Sequence, residues 1–380
     1  MTKNAGMRDV AELAGVSVGT VSNVLNRPDV VAPGTRARVQ AAIAELGFVR
    51  SENARLLRVG RSRVLALLAL DLANPFYVEV LRGAQCAARD AGLGVVVVDS
   101  AGSAIAEAGQ LALLAQQRVR GVMVTPADGS GGTLAEFGRS RIPFVLVDRE
   151  VPGCEAACRV LVDDVAGGEM AVAHLVAAGH RRIGFVAGPL GVAGFRHRLA
   201  GARRGAAGGG SGGEGVEGIG GASAVDAEAP VELVVIEEPR GDIAAGRDAA
   251  ARVLGMSAAQ RPTALFCAND LIALGVLQAL FAAGVTVPGE MAIVGYGDLE
   301  SAAGAAVPLT SIRQPAARLG RAAAELLIEE SGPLAAQHAH REVVFQPELV
   351  ARASSLPVRV AVVDRLAVPQ RAAPRKNSEG

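Results

Sequence analysis

Two sets of side chains in this sequence have types and spacings suited to recognition chemistry. The first is Ser17-Val18-Gly19-Thr20-Val21-Ser22-Asn23-Val24-Leu25-Asn26, a short run mixing small apolar residues with hydroxyls and amides. On a helix, Val18, Gly19, Ser22 and Asn23 turn outward at its beginning, where side chains meet base edges in a DNA major groove. The second set is dispersed: Phe76-Tyr77, Thr125, Asp148, Arg198, Asn269-Asp270 and Gly295-Tyr296-Gly297-Asp298 each follow a strand-like segment. Arginine offers a planar fork to paired hydroxyls or a carboxylate, and Asp and Asn serve neighbouring hydroxyls, so this is chemistry for holding a small polar ligand. Taken singly, Asp270 and Asp298 read equally well as caps of the helices after them.

Bond-breaking chemistry finds little support. The five histidines are scattered, and His180 and His197 flank arginines without an evident partner. Cys154-x-x-x-Cys158 has no histidine or second cysteine pair near it in sequence. The four cysteines therefore read as small buried thiols in a reducing compartment, and neither a metal nor a cofactor is expected. Residues 208–221 hold nine glycines in 14 positions, too many for a helix, and read as a surface insertion; without a lysine or a strand-to-helix context they make a poor phosphate cradle.

The 380 residues carry 38 basic and 38 acidic side chains, which excludes a uniformly basic nucleic-acid binder. The balance is uneven, however. Residues 1–63 hold ten basic against five acidic residues, leaving +5 there and −5 on the rest, as when one end meets a polyanion. The longest apolar runs, such as Val64–Leu70, fall far short of the roughly 20 residues of a membrane span, and the start has no apolar signal core, so a cytoplasmic protein without membrane contact is expected.

The elements that must position these groups follow from periodicity and turn chemistry. Arg8–Ala14 reads as a short helix, Gly15-Val16-Ser17 as a turn, and Val18–Asn26 as a second helix capped by Ser17 through the amide of Thr20. Val10, Leu13, Ala14, Val21 and Leu25 are placed to face a common core, closed by a third helix over Thr35–Leu46 through Val39, Ile43 and Leu46. After Arg63, strand-like and helix-like segments alternate in two series, which argues for two lobes of doubly wound parallel sheet with a ligand at the strands' carboxyl ends. Ser51–Arg63 is a helix-capable stretch of about two turns, marginal alone in water.

The run Asp9–Asn26 resembles the helix-turn-helix signature of the LacI/GalR family of bacterial transcription regulators, and the resemblance extends from about Met7 to Ser355. It implies an all-α head (residues 1–50), a hinge (51–63) and a two-lobed α/β body like periplasmic sugar-binding proteins (64–355). The expected lobes are 64–162 with 312–332, and 163–311 with 333–355, the chain crossing near Val162-Asp163, Ser311-Ile312 and Pro333. By position, Val18, Gly19 and Asn23 would read bases, and Thr20, Ser22 and Asn26 would hold phosphates. Ala54, Arg55, Leu57 and Arg58 would form a minor-groove hinge, with Leu57 as the wedge between base pairs. Arg198, Asn269, Asp148 and Thr125 would contact an effector through polar groups, Phe76 and Ile243 through apolar ones. The partners implied are double-stranded operator DNA, a small-molecule effector and a second copy of the chain. Residues 356–380 read as a flexible tail without the leucine heptads of a tetramerising coil.

Three departures from the pattern bear on function. Gly6 and Ala32 stand where hydroxyl caps are usual, and losing a cap costs about 1 kcal/mol. Arg50 replaces a frequent proline. Gly297 stands where a carboxylate often grips sugar hydroxyls, and with two tyrosines and no tryptophan the aromatic platform for a sugar looks thin.

Overall fold

The computed structural model describes residues 5–48, 62–208, 230–333 and 335–356. The expected hinge residues Ala54, Arg55, Leu57 and Arg58, nearly all of the glycine-rich stretch 208–221, and the tail beyond 356 lie outside the described residues. The chain divides into two compact units, Met1–Ser62 and Arg63–Gly380.

Among the described residues of the first unit, three helices, α1 (Met7–Ala14), α2 (Val18–Asn26) and α3 (Pro33–Glu45), surround a small core of Val10, Ala11, Ala14, Val21, Val24, Val39 and Ala42. Ile43, Leu46 and Leu25 pack on its margin, but Leu13 is 46% exposed. Val10, Ala11 and Ala14 form the buried stripe, and Leu13 projects roughly 100° round the helix from its centre. Gly15 adopts φ 63°, the left-handed turn that glycine makes without strain. The absent hydroxyl caps are replaced by other devices. The Gly6 amide donates to Asp9 Oδ2 at 2.6 Å, and α3 opens on Pro33, whose fixed φ suits a first helical turn.

The second unit contains two six-stranded sheets. The first has the order β11-β5-β4-β3-β1-β2, all parallel: β1 (Val64–Ala69), β2 (Gly94–Asp99), β3 (Gly121–Val124), β4 (Phe144–Val147), β5 (Cys158–Val162) and β11 (Glu342–Phe345). The second has the order β12-β10-β9-β8-β6-β7: β6 (Arg182–Ala187), β7 (Glu232–Glu237), β8 (Ala264–Cys267), β9 (Ala292–Gly297), β10 (Thr310–Arg313) and β12 (Glu348–Val350). In this sheet only β12 runs antiparallel, against β10. Helices α4 (Pro75–Asp90), α5 (Ala104–Gln116), α6 (Gly132–Gly138) and α12 (Ala316–Glu330) serve the first sheet. Helices α7 (Asp164–Ala177), α8 (Ala193–Gly208), α9 (Ile243–Leu254), α10 (Asp270–Ala282) and the short α11 (Glu300–Ala303) serve the second.

The near-continuous apolar runs of β1, β3, β6 and β8 are what a strand covered on both faces requires. Neighbouring helices approach until their backbones nearly touch. A Cβ at Gly83 of α4 would stand 1.8 Å from the Ala317 carbonyl oxygen of α12, and one at Gly201 of α8 would stand 1.9 Å from that of Val165 in α7. The chain crosses between sheets after β5, after β10 and after β11. The third crossing therefore follows Phe345 rather than lying near Pro333, because residues 342–345 add an edge strand to the first sheet, in register with Arg159–Val162. That strand alternates exposed and half-buried residues, so it carries a weak apolar signal. No helix among the described residues is long and apolar enough to cross a membrane.

Candidate functional site

In the head, α2 begins at Ser17, whose Oγ accepts the Thr20 amide at 3.1 Å and lies 3.0 Å from Thr20 Oγ1. Val18, Gly19 and Asn23 are exposed together on its first two turns, with Val18 42% exposed even though it is apolar. A bare valine methyl at this place suits contact with a thymine methyl, and an exposed asparagine amide suits the paired donor and acceptor edge of adenine. Thr20 and Ser22 are half-buried flanks. The amide of Asn26 donates to the Ser22 carbonyl at 2.6 Å and to Ser22 Oγ at 3.2 Å, which couples these two residues at the end of the helix.

The second unit holds a cleft of about 370 Å³ between its two sheets, lined by residues that follow the carboxyl ends of the strands. Phe76, Asp148, Arg198 and Asn269 line it; Thr125 and Ile243 are not among its lining residues. Thr125 is fully buried beside β1, its amide donating to the Leu68 carbonyl at 3.0 Å and its hydroxyl unpartnered among the described residues. Ile243 opens α9 just beyond the lining residues Gly241 and Asp242, and its carbonyl packs against Gly275 of α10.

The lining residues Arg198 and Tyr296 belong to a buried cluster that the sequence did not single out as a unit. Arg198, 7% exposed, donates from Nε to Asp164 Oδ1 at 3.0 Å and from Nη1 to the Ala268 carbonyl at 2.7 Å. Its guanidinium lies 3.8 Å above the Tyr296 ring, while the Tyr296 hydroxyl donates to the same Asp164 oxygen at 2.6 Å. Burial works against the charge on Arg198, but Asp164, Tyr296 and Asp148 outweigh it and hold the guanidinium firmly protonated. Facing it from β4 is Asp148, whose φ of 66° bends the chain out of the strand. Burial and the nearby Asp164 push its carboxyl above the usual range, against Arg198 and Arg149, which favour the charged form. Beside it, burial pushes the Tyr77 phenol far above its ordinary value.

Several lining groups turn out to have structural partners. The Asn269 side chain caps α10 by accepting the Ile272 amide at 2.8 Å and donates to the Gly241 carbonyl at 2.8 Å. Asp270, fully buried, accepts from the Leu299 amide and Ser311 Oγ, each at 2.7 Å, and burial raises its carboxyl to about 6. A Cβ at Gly295 would stand 2.1 Å from that carboxylate, so glycine is required there. Asp298 caps no helix: its carboxylate pairs with Arg313 at 2.7 Å and Arg352 at 2.6 Å. Gly297 has φ 127°, a conformation that side chains rarely adopt. The aromatic supply is richer than composition suggests, because both tyrosines, together with Phe76 and the half-buried Phe195, line the cleft. Tyr296 stood in the quoted strand-end motif, but Asp164 carried no signal beyond following a strand.

The helix-turn-helix geometry joined to a cleft between two doubly wound lobes defines a ligand-responsive DNA-binding regulator. Comparison with known proteins agrees: residues 6–51 match the model for bacterial regulatory proteins of the lacI family, and residues 172–355 match a periplasmic binding protein-like domain. The chain is 30% identical over 353 residues to the HTH-type transcriptional repressor PurR of Aliivibrio fischeri (strain MJ11), covering 93% of this chain and 98% of that protein. It is 33% identical over 327 residues to the ribose operon repressor of Escherichia coli (strain K12), covering 85% and 92%. Among solved structures, it resembles a lac repressor dimer bound to operator and the anti-inducer ONPF with a TM-score of 0.75 and 27% identity, covering 93% and 100% of the two chains. The chain belongs to the lacI family of bacterial regulatory proteins; it is a transcription regulator and not an enzyme.

Proposed function

We propose that the protein is a cytoplasmic, homodimeric repressor released from a near-palindromic operator when a small polyhydroxyl ligand, a sugar or sugar derivative, enters the cleft. The observation that carries the ligand class is the mixture of charges around Arg198. Asp148 and Arg149 from the first sheet, and Arg198 and Asp242 from the second, supply donors and acceptors of both signs, which an uncharged polyol satisfies better than an anion would. Phe195, half-buried at the rim, offers an apolar face for a ring.

Val18, Gly19 and Asn23 read bases, while Thr20, Ser22 and Asn26 set the register on phosphates. Ala54, Arg55, Leu57 and Arg58 act as a hinge in the minor groove, where Leu57 unstacks a base step. Exposed Ile105 and Leu113 on α5, with Val96 and Val97 on the adjoining β2, support an apolar face for a second copy. The ligand acts by changing the angle between the lobes, with a coupling of about 1–3 kcal/mol between cleft and operator.

The test is operator titration with and without a panel of pentoses, hexoses and their phosphates. Weaker operator binding with one neutral sugar supports release. Tighter binding would instead make the protein a ligand-requiring repressor, and response only to an anionic compound would overturn the polyol assignment. Leu57→Ala should weaken specific binding far more than non-specific binding; equal losses would remove the wedge.

A further inference from the structure

In sequence, Cys158 has no histidine within reach, and the folded chain changes that. Cys158 opens β5, Glu330 closes α12, and His338 and His340 lie just ahead of β11, the strand paired with β5. The pairing of β11 with β5 places the residues just ahead of β11 beside Cys158 and brings both imidazoles onto the thiol. His338 Nε2 lies 3.1 Å and His340 Nδ1 3.7 Å from Cys158 Sγ, and His340 Nδ1 is 4.0 Å from Glu330 Oε1. One ligand atom from each of the four residues falls within 4.8 Å of every other.

We propose that Cys158, Glu330, His338 and His340 form a binding site for a zinc-class divalent cation. Ligands at about 2.3 Å for sulfur and about 2.0 Å for nitrogen in a tetrahedron stand roughly 3.5 Å apart, between the two sulfur–nitrogen distances seen here. A thiolate with two imidazoles selects zinc over magnesium or calcium, which prefer all-oxygen shells.

The surroundings have the form of a built site. Cys158 is fully buried and the His338 side chain only 4% exposed. The far nitrogen of His338, Nδ1, lies 3.6 Å from Glu329 Oε2, the carboxylate–histidine arrangement that orients metal-bound imidazoles. Arg341 holds Glu329 in place through contacts of 2.8 and 3.0 Å, and its amide donates to Cys158 Sγ at 3.4 Å. A plain thiol–imidazole hydrogen bond would occupy two of the four groups and leave the buried Glu330 Oε2 without a partner among the described residues. Four protein ligands close the coordination shell, so the role is structural: the cation clamps the edge strand β11 and the end of α12 onto β5. The ligands sit at the amino end of β5, whereas the cleft lies at the carboxyl ends of the strands.

The full-length chain, stripped with a chelator, should take up one equivalent of Co2+. The adduct should show a thiolate-to-cobalt charge-transfer band with tetrahedral visible bands, which Zn2+ then bleaches. Zinc should also raise the thermal midpoint of the stripped chain. Cys158→Ser and the double variant His338→Ala/His340→Ala should lose the band, and Cys86→Ser and Cys154→Ser should keep it. Absence of stoichiometric uptake, a cobalt spectrum without the sulfur band, or a Cys158→Ser chain that binds like the unaltered one would overturn the site. Should the cysteine variant fail to fold, the charge-transfer band of the unaltered chain decides by itself.

Discussion

In the head, the groups proposed to meet DNA lie within the nine consecutive residues of α2, whereas the cleft draws Asp148 from the first lobe and Arg198 and Tyr296, backed by Asp164, from separate elements of the second. The two regions also differ in exposure. Val18, Gly19 and Asn23 stand in solvent, while Arg198 is 7% and Asp164 5% exposed and each depends on the other. A surface built on one helix separates binding from stability, because its side chains can be trimmed without opening the core. In a buried charged cluster the two are inseparable, since each group is also a partner that another group needs.

This contrast can be broken by experiment, most severely at Arg198. Arg198→Ala should abolish the ligand response and cost about 3–5 kcal/mol in urea unfolding, because buried Asp164 loses its guanidinium partner. A variant that unfolds like the parent would break the contrast. Asp270 gives the next largest effect, and it depends on pH. Its folded-state value of about 6 lies above its ordinary 3.8, so between those pH values the folded chain holds more protons than the unfolded one. Stability from this group is therefore present below that window and lost as pH rises through it, by about 3 kcal/mol at most. Denaturant midpoints across pH 4–7 should show the fall, and Asp270→Asn should flatten it.

In the head, Asn23→Ala should relax preference at one symmetric base-pair position by about 1–3 kcal/mol with unchanged thermal stability. Binding to randomised operators would show this, and unchanged specificity would remove its base-reading role. The smallest effect is at Ser17, where Ser17→Ala should cost about 1 kcal/mol of head stability, because its hydroxyl accepts the Thr20 amide and caps α2. Thermal unfolding of the isolated transition of the head reads that loss.

How much was legible follows the same division. Gly15, the Ser17 cap and the outward row on α2 were readable because each is a local relation spanning at most one or two helical turns. Leu13 was misplaced even so, because helical spacing alone did not say which of two overlapping stripes α3 would cover. In the body, apolar runs and helix patterns revealed the alternation and the strand end that carries Asp148, whereas Arg198 lies inside α8 and was marked by the family resemblance. Thr125 is buried beneath the strand end rather than exposed in the cleft, and the Asn269 amide is engaged by α10 and the Gly241 carbonyl. Neither distinction has a signature in a single chain.

The sequence by itself determined the class of the protein: a capped helix pair within a basic leading segment, ahead of alternating strands and helices. Those features depend on backbone propensity and short-range periodicity, which act within a few residues. Tertiary structure alone decided which distant groups meet. The joining of Asp164 to Arg198 and Tyr296, the third crossing after Phe345, and the meeting of Cys158 with His338 and His340 across 180 residues all follow from sheet register and helix packing. These long-range pairings are set by how whole elements bury their faces against one another, and no local pattern in the chain encodes the partner.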